Sequence, residues 1–268
     1  PLAGACTVTV DGETFELGDA RISFHSAGHV LGSAQIRVQV DTTTWVVTGD
    51  YKRAPDPTCA PFESVPCDVL ISEATFALPC YRWPATARVI EEIWRWWQMN
   101  RELGRASVLF CYAFGKAQRV LAELMTHTDE TVYLHGAVQP LVEEYRHAGV
   151  PMLPTRLVER GKKAEFRGAL VIAPPSAAGT PWMRRFGEAS TGFCSGWMRI
   201  RGARRRRGYD RGFVLSDHAD WPALLATIRE SGARKVLLTH GYSDALVRYL
   251  QEQGLDATAL RTSYGDEN

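Results

Sequence analysis

The sequence predicts an α/β protein in which one domain interrupts another, and three observations carry that prediction. Short alternating strand patterns fill the chain as far as Ser72. From Ala85 to Ala173 helical and strand-like stretches alternate, as they do in a parallel sheet with helical crossovers. Beyond Gly212 the chain resumes strands that end in histidine or carboxylate side chains, in the manner of the first part.

Taken in order, Thr7 to Val10 and Glu13 to Leu17 alternate about Asp11-Gly12, a two-residue hairpin signal. Arg21 to His25 is a further strand, and it runs into the loop that carries His29. Gly28 and Gly32 flank that histidine and, lacking a Cβ, let the backbone turn tightly. Ala34 to Val40 and Thr44 to Thr48 read as paired strands joined at Asp41-Thr42-Thr43, which returns Asp50 to the sheet edge that His29 leaves. Asp68 to Ser72 is an apolar strand that delivers Glu73 at its carboxyl end.

The middle of the chain changes character. Ala85 to Leu103 has helical spacing, with Val89, Ile93, Trp96 and Trp97 on its apolar side. Trp94, Trp96 and Trp97 read as a packing face rather than as base-stacking platforms. Val108 to Phe114, Val132 to Leu134 and Ala169 to Ala173 are strand-like, and Lys116 to Met125 and Pro140 to Arg146 are helical. Gly115-Lys116 and the loop from Pro174 to Gly179 follow strands, where parallel sheets place ligand loops, so their N–H groups are candidates for holding phosphate.

After the insert, Gly212 to Ser216 reads as a strand of the first domain, ending in Asp217-His218-Ala219-Asp220. Trp221 to Arg229 is helical, Lys235 to Leu238 is a strand ending in Thr239-His240-Gly241, Leu246 to Gln253 is helical, and Ala257 to Leu260 closes as a strand.

Composition narrows the function classes. With 268 residues, 45% of them hydrophobic and 23% charged, the chain can bury a globular core. Six cysteines without a C-x-x-C pair exclude a cysteine zinc knuckle and a dense disulfide framework, so a reducing, cytoplasmic setting is expected. No apolar run is long enough for a membrane span. At a net charge of +1, affinity for a polyanion must come from a local patch. The stretch with Arg199, Arg201, Arg204, Arg205, Arg206, Arg207 and Arg211 is that patch, a candidate contact for a nucleic-acid backbone.

His29, Asp50, Glu73, His218 and His240 all fall at strand exits, and imidazole with carboxylate is a donor set that suits zinc. His25, His127, His135 and His147 have no comparable setting and read as structural.

Ala27-Gly28-His29-Val30-Leu31-Gly32-Ser33, Thr48-Gly49-Asp50, Ser72-Glu73-Ala74-Thr75-Phe76, Ser216-Asp217-His218-Ala219-Asp220 and Thr239-His240-Gly241 resemble successive motifs of the β-CASP nucleases, a branch of the metallo-β-lactamase fold. Ala77 to Pro84, Ser195-Gly196-Trp197-Met198 and Arg206 to Asp210 resemble the bacterial ligase-associated DNA exonucleases within that branch.

The resemblance implies an αβ/βα sandwich over residues 1–79 and 208–268, with an inserted α/β β-CASP domain over residues 80–207. It implies a zinc-dependent DNA exonuclease working in repair with an ATP-dependent DNA ligase; an RNA-processing nuclease and a non-catalytic nucleic-acid-binding remnant are the alternatives. Carried over residue by residue, it makes His29 and His240 ligands of one zinc each, Asp50 the bridge, and Glu73 with His218 the catalytic pair. The family also carries an early His-x-His-x-Asp-His stretch, which this sequence lacks. That departure implies an amino-terminally truncated member, with two zinc ions in the full-length protein and weak or no binding in this chain.

Overall fold

The computed structural model describes residues 13–159, 163–200 and 208–260. The predicted strand from Thr7 to Val10, its Asp11-Gly12 turn, and Arg201 and Arg204 to Arg207 lie outside the described residues.

In chain order the strands are β1 (Thr14–Leu17), β2 (Ala20–Ser26), β3 (Ala34–Val40), β4 (Thr43–Val47), β5 (Val69–Ala74), β6 (Ala106–Phe110), β7 (Val132–Leu134), β8 (Thr155–Leu157), β9 (Leu170–Ala173), β10 (Ala189–Cys194), β11 (Arg211–Phe213), β12 (Lys235–Gly241) and β13 (Asp256–Ala259). Among the described residues the α-helices are α1 (Thr86–Glu102), α2 (Lys116–Glu123), α3 (Gln139–His147), α4 (Trp221–Ser231) and α5 (Ser243–Glu252). The chain forms two compact units, one of Pro1–Pro55, Cys59–Arg82 and His218–Asn268, the other of Asp56–Thr58 and Trp83–Asp217.

The first unit holds a seven-stranded sheet in the order β1-β2-β3-β4-β5-β12-β13. β1 to β4 run antiparallel, β3 turning into β4 at the predicted hairpin and β2 joining β3 through the His29 loop, and β4, β5, β12 and β13 pair in parallel. Val46, Leu70, Val236, Leu238 and Ala257 of the sheet share a core with Trp221, Leu224 and Ile228 of α4 and Leu246 and Leu250 of α5. α4 is stopped at both ends by its sequence: Asp220 caps it by accepting from the Ala223 N–H, and Gly232 follows at φ 65°. The opposite face carries the register row Phe24, Ile36, Val47, Ile71 and Leu237. On it Ile36 and Trp45 are exposed, an apolar surface on a polar-to-apolar alternating sheet.

The second unit holds a six-stranded, wholly parallel sheet in the order β11-β10-β6-β9-β7-β8. All five residues of β6 are buried, as expected for a central parallel strand covered on both faces. The tryptophans pack as their helical spacing predicts: Trp96 and Trp97 are buried on α1, and their indole N–H groups donate to Ser190 Oγ at 3.1 Å and the Gly168 carbonyl at 2.8 Å. Gly192 has no substitute, because a Cβ there would sit 2.9 Å from the Phe213 ring and 3.1 Å from Trp96.

Three sequence expectations need correction. The strand expected at Gly212–Ser216 in the first domain is β11 at Arg211–Phe213, and it pairs in parallel with Gly192–Cys194 in the second sheet. Local apolar pattern does not say which sheet a strand joins; backbone pairing does, and it moves the return to the first unit to His218. The loop from Pro174 to Gly179 winds into a 3₁₀ turn whose Ala177 and Ala178 N–H groups are taken up by the Pro174 and Pro175 carbonyls. Lys116 is not a phosphate lysine either, since its ammonium lies 2.6 Å from Asp217 Oδ2 with the side chain 3% exposed.

That lysine belongs to a buried four-charge network. Arg119 donates to the Ser216 carbonyl and to Thr86 Oγ1, each at 2.8 Å, and lies 3.3 Å from Asp217 Oδ1 and 3.4 Å from Asp56 Oδ2. Burial drives the Lys116 pKa down, and the Asp217 carboxylate opposes that shift. Two cations and two carboxylates cancel, so the group is tolerable only while complete. Arg119→Met is expected to destabilise the protein by about 3 to 5 kcal/mol, because it strands buried carboxylates. Urea midpoints of wild type and variant measure this, and an unchanged midpoint would show that the stranded carboxylates cost nothing.

Candidate metal centre

Four side chains at the carboxyl ends of β2, β4, β5 and β12 meet a fifth, His218, from a loop. The His29 loop is shaped by its own backbone: Ala27 N–H donates to the Ser33 carbonyl, and the Ser33 hydroxyl accepts from the N–H groups of His29 and Val30. Gly28, at φ 67°, is required there, because a Cβ would come within 2.4 Å of the Lys52 carbonyl oxygen. The β3–β4 hairpin then returns Asp50 to the edge that His29 leaves, as its strand pattern predicts, and Asp50 Oδ2 lies 3.9 Å from His29 Nε2.

Glu73 ends β5 and His240 ends β12, side by side in the parallel register that pairs Thr239 with Glu73 and Gly241 with Ala74. His240 is the residue left over, a β-bulge with φ 32°, and bulges re-aim side chains in this way. Its Nε2 lies 3.2 Å from Asp50 Oδ1 and its Nδ1 lies 2.6 Å from Thr239 Oγ1.

His218 follows the buried Asp217, with its ring 4.8 Å from that of His29 and edge-on to Phe76 at 5.9 Å. Its Nδ1 lies 3.0 Å from Glu73 Oε2 and 3.9 Å from Asp50 Oδ1. The Glu73 carboxylate is 1% exposed and also accepts the Tyr51 N–H at 2.8 Å.

Two three-donor groups result, His29 with Asp50 and His218, and Asp50 with Glu73 and His240; within each the ligand atoms lie within 4.8 Å of one another. Nitrogen and oxygen donors at such spacings fit divalent zinc, and Asp50 is common to both groups. Each group thus brings one side chain more, His218 or Glu73, near the two ligands that the resemblance implies for each ion. Glu73, however, is already committed to Tyr51 and His218, which makes it the holder of His218 rather than a metal donor.

Sequence reasoning missed Tyr51, Thr239 and Ser33, whose backbone or hydroxyl interactions depend on the fold. Of the other histidines, His25 bonds to Ser23 and Glu63, His127 stacks on Trp94, and His135 accepts the Ala137 N–H. Of the arginine patch, Arg199 is exposed at the end of a 3₁₀ turn, and the Arg211 guanidinium lies 5.7 Å over the Phe213 ring. No described helix is long and apolar enough to cross a membrane.

A protein of Opitutus terrae named probable DNA ligase is 32% identical over 259 residues, covering 96% of this chain and 25% of that protein. An RNase J-like protein of Methanocaldococcus jannaschii is 34% identical over 107 residues, 38% of this chain and 24% of the relative. Transcription termination factor FttA of Pyrococcus abyssi is 29% identical over 149 residues, 49% of this chain and 22% of the relative. The chain belongs to the β-CASP branch of the metallo-β-lactamase nucleases.

This β-CASP chain spans a quarter or less of the length of the curated relatives it matches. A solved structure of a protein of unknown function from Enterococcus faecalis V583 shares its fold, with a TM-score of 0.60 and 11% identity over 96% of this chain and 66% of that one. No family model matches the chain.

The bulge and the Asp50–His240 pair of the β-CASP centre can each be tested. Gly241 sits at φ 81°, and a Cβ there would lie 2.2 Å from the Ala74 carbonyl oxygen. Gly241→Ala is therefore expected to dismantle the bulge and weaken zinc binding, read by chelator competition; equal affinity would show that the bulge does not set the site. The hydrogen bond from His240 lowers the Asp50 pKa against the raising effect of burial, and the same bond raises the His240 pKa. The His240 contribution to stability is full below its ordinary 6.5 and fades as pH rises through the raised value. The Asp50 contribution is full above its ordinary 3.8 and fades as pH falls through the lowered value. In the metal-free chain the pair should therefore stabilise most between those two ordinary values, and the gap in urea midpoint between wild type and Asp50→Asn, followed against pH, measures it.

Proposed function

We propose that this chain carries the hydrolytic centre of a zinc-dependent DNA exonuclease, acting in cytoplasmic DNA repair beside an ATP-dependent DNA ligase, with an αβ/βα sandwich and an inserted β-CASP domain as its architecture. The observation that carries the reading is the convergence of His29, Glu73, His218 and His240 on Asp50, which belongs to both three-donor groups. The relative named probable DNA ligase, similar along nearly the whole chain, supports the ligase context.

His29, Asp50 and His240 would hold the metal, with Asp50 shared between two ions. Zinc, when bound, supplies Lewis acidity toward the scissile phosphate and an acidified water. Glu73 takes the Nδ1 side of His218 and is itself fixed by the Tyr51 N–H, so the ring is held by a buried carboxylate. A proton exchanged with the departing sugar oxygen would then pass through His218 Nε2. Phe76 limits the ring from its edge, which narrows its orientation further. Arg199, Arg201, Arg204 to Arg207 and Arg211 would bind the phosphates of the strand being digested.

A second reading, an RNA-processing nuclease, is favoured by the RNase J-like relative. Digestion of end-labelled single-stranded DNA and RNA of matched sequence separates the two. Zinc-dependent loss of the DNA end label, abolished by His240→Ala and by His218→Ala, is the expected result. Zinc binding without digestion of either strand would leave only a nucleic-acid-binding role. Changing Arg204 to Arg207 together to Ala should flatten the salt dependence of single-strand binding by about 0.7 log units per decade for each phosphate no longer neutralised. An unchanged slope would remove the arginine run from the interface.

A further inference from the structure

We propose that Thr239 is a positioning residue that reserves Nε2 of His240 for a divalent cation by taking the proton on Nδ1. The inference rests on the reading of His240 as a metal ligand. Its observations are local to one bulge. Thr239 Oγ1 lies 2.6 Å from His240 Nδ1, while Nε2 on the far side of the ring lies 3.2 Å from Asp50 Oδ1.

Thr239 itself is held by the ladder. It is in register with Glu73 in β5, so its Cα cannot shift without breaking the parallel pairing that also places Glu73. His240, by contrast, is the unpaired residue of the bulge, and its side chain is 56% exposed. Packing therefore does little to orient the ring, and rotation about χ2 has broad, nearly two-fold preferences. One hydrogen bond at each nitrogen sets the orientation instead.

A neutral imidazole carries a single proton, and a nitrogen that donates its lone pair to a cation cannot carry it. With a cation on the Asp50 side, the proton must stay on Nδ1 and needs an acceptor there. The threonine hydroxyl has lone pairs to accept it and can turn its own proton away, which an apolar neighbour could not do. Partners of this kind fix the tautomer and ring plane of metal-bound histidines, and their removal typically costs about ten- to a hundred-fold in metal affinity. Asp50 cannot substitute for Thr239, because it lies on the opposite side of the ring.

Thr239→Val preserves shape and strand preference while deleting the acceptor, and Thr239→Ser restores the hydroxyl. Zinc affinity would be measured by chelator competition on the whole chain, with nitrogen-15 imidazole spectra of the zinc-loaded protein recording the His240 Nδ1–H resonance. Expected are an affinity about ten-fold lower in Thr239→Val, recovery in Thr239→Ser, and an Nδ1–H signal protected from exchange in wild type and lost in the valine variant, all at an unchanged urea midpoint. Wild-type affinity or a protected signal in Thr239→Val overturns the proposal, as does a serine variant as weak as the valine one. His240→Ala separates the two levels: if it binds zinc like wild type, the reading of His240 as a ligand fails and this inference falls with it. If His240→Ala loses zinc while Thr239→Val keeps it, only the role of Thr239 falls.

Discussion

The parallel pairing of β5 with β12 is the constraint on which the centre depends. It sets Glu73 opposite Thr239 and leaves His240 as an extra residue in the ladder. The bulge costs regular hydrogen bonding but turns an imidazole toward Asp50 that a flat strand would direct to one face of the sheet. Gly241 makes the bulge sterically possible, since its backbone passes so close to Ala74 that no side chain fits. Ladder register, a glycine at positive φ and one hydroxyl thus act together on a single ring.

Asp50 plays the corresponding part for charge. Three imidazoles approach it, His240 at 3.2 Å and His29 and His218 at 3.9 Å, and the hydrogen bond from His240 holds its pKa down. A carboxylate surrounded by imidazoles is stable when those rings are protonated or when a cation stands among them. The same geometry therefore offers a donor set for a divalent cation. Glu73 differs in kind: buried and bonded to a backbone N–H, it is fixed before anything binds.

Much of this is legible from local pattern. Periodicity and turn residues place His29, Asp50, Glu73, His218 and His240 at strand exits; the structure puts four of them at one end of the first sheet, whereas His218 lies five residues beyond the end of β11 and reaches Glu73 from a loop. Trp96 and Trp97 read correctly as packing residues, because a helical apolar stripe normally faces a core. Local pattern does not reveal β8, a three-residue strand, or β10, whose Ala189-Ser190-Thr191-Gly192 start lacks an apolar signal. The buried network of Lys116, Arg119, Asp56 and Asp217 is equally invisible, and the strand-end glycine before Lys116 points wrongly to a phosphate loop.

By itself the sequence determined which residues can form strands and helices, where turns break them, and which chemistry-bearing side chains stand at the breaks. Those are properties of a few neighbouring residues, set by side-chain volume, φ preference and polarity. Only the tertiary structure decided that β11 joins the second sheet, that His240 is the bulged residue, and that Arg119 pairs with a carboxylate 98 positions away. Pairing partners across such separations are chosen by the summed energy of ladders, cores and buried charges, and no local window of sequence contains that sum.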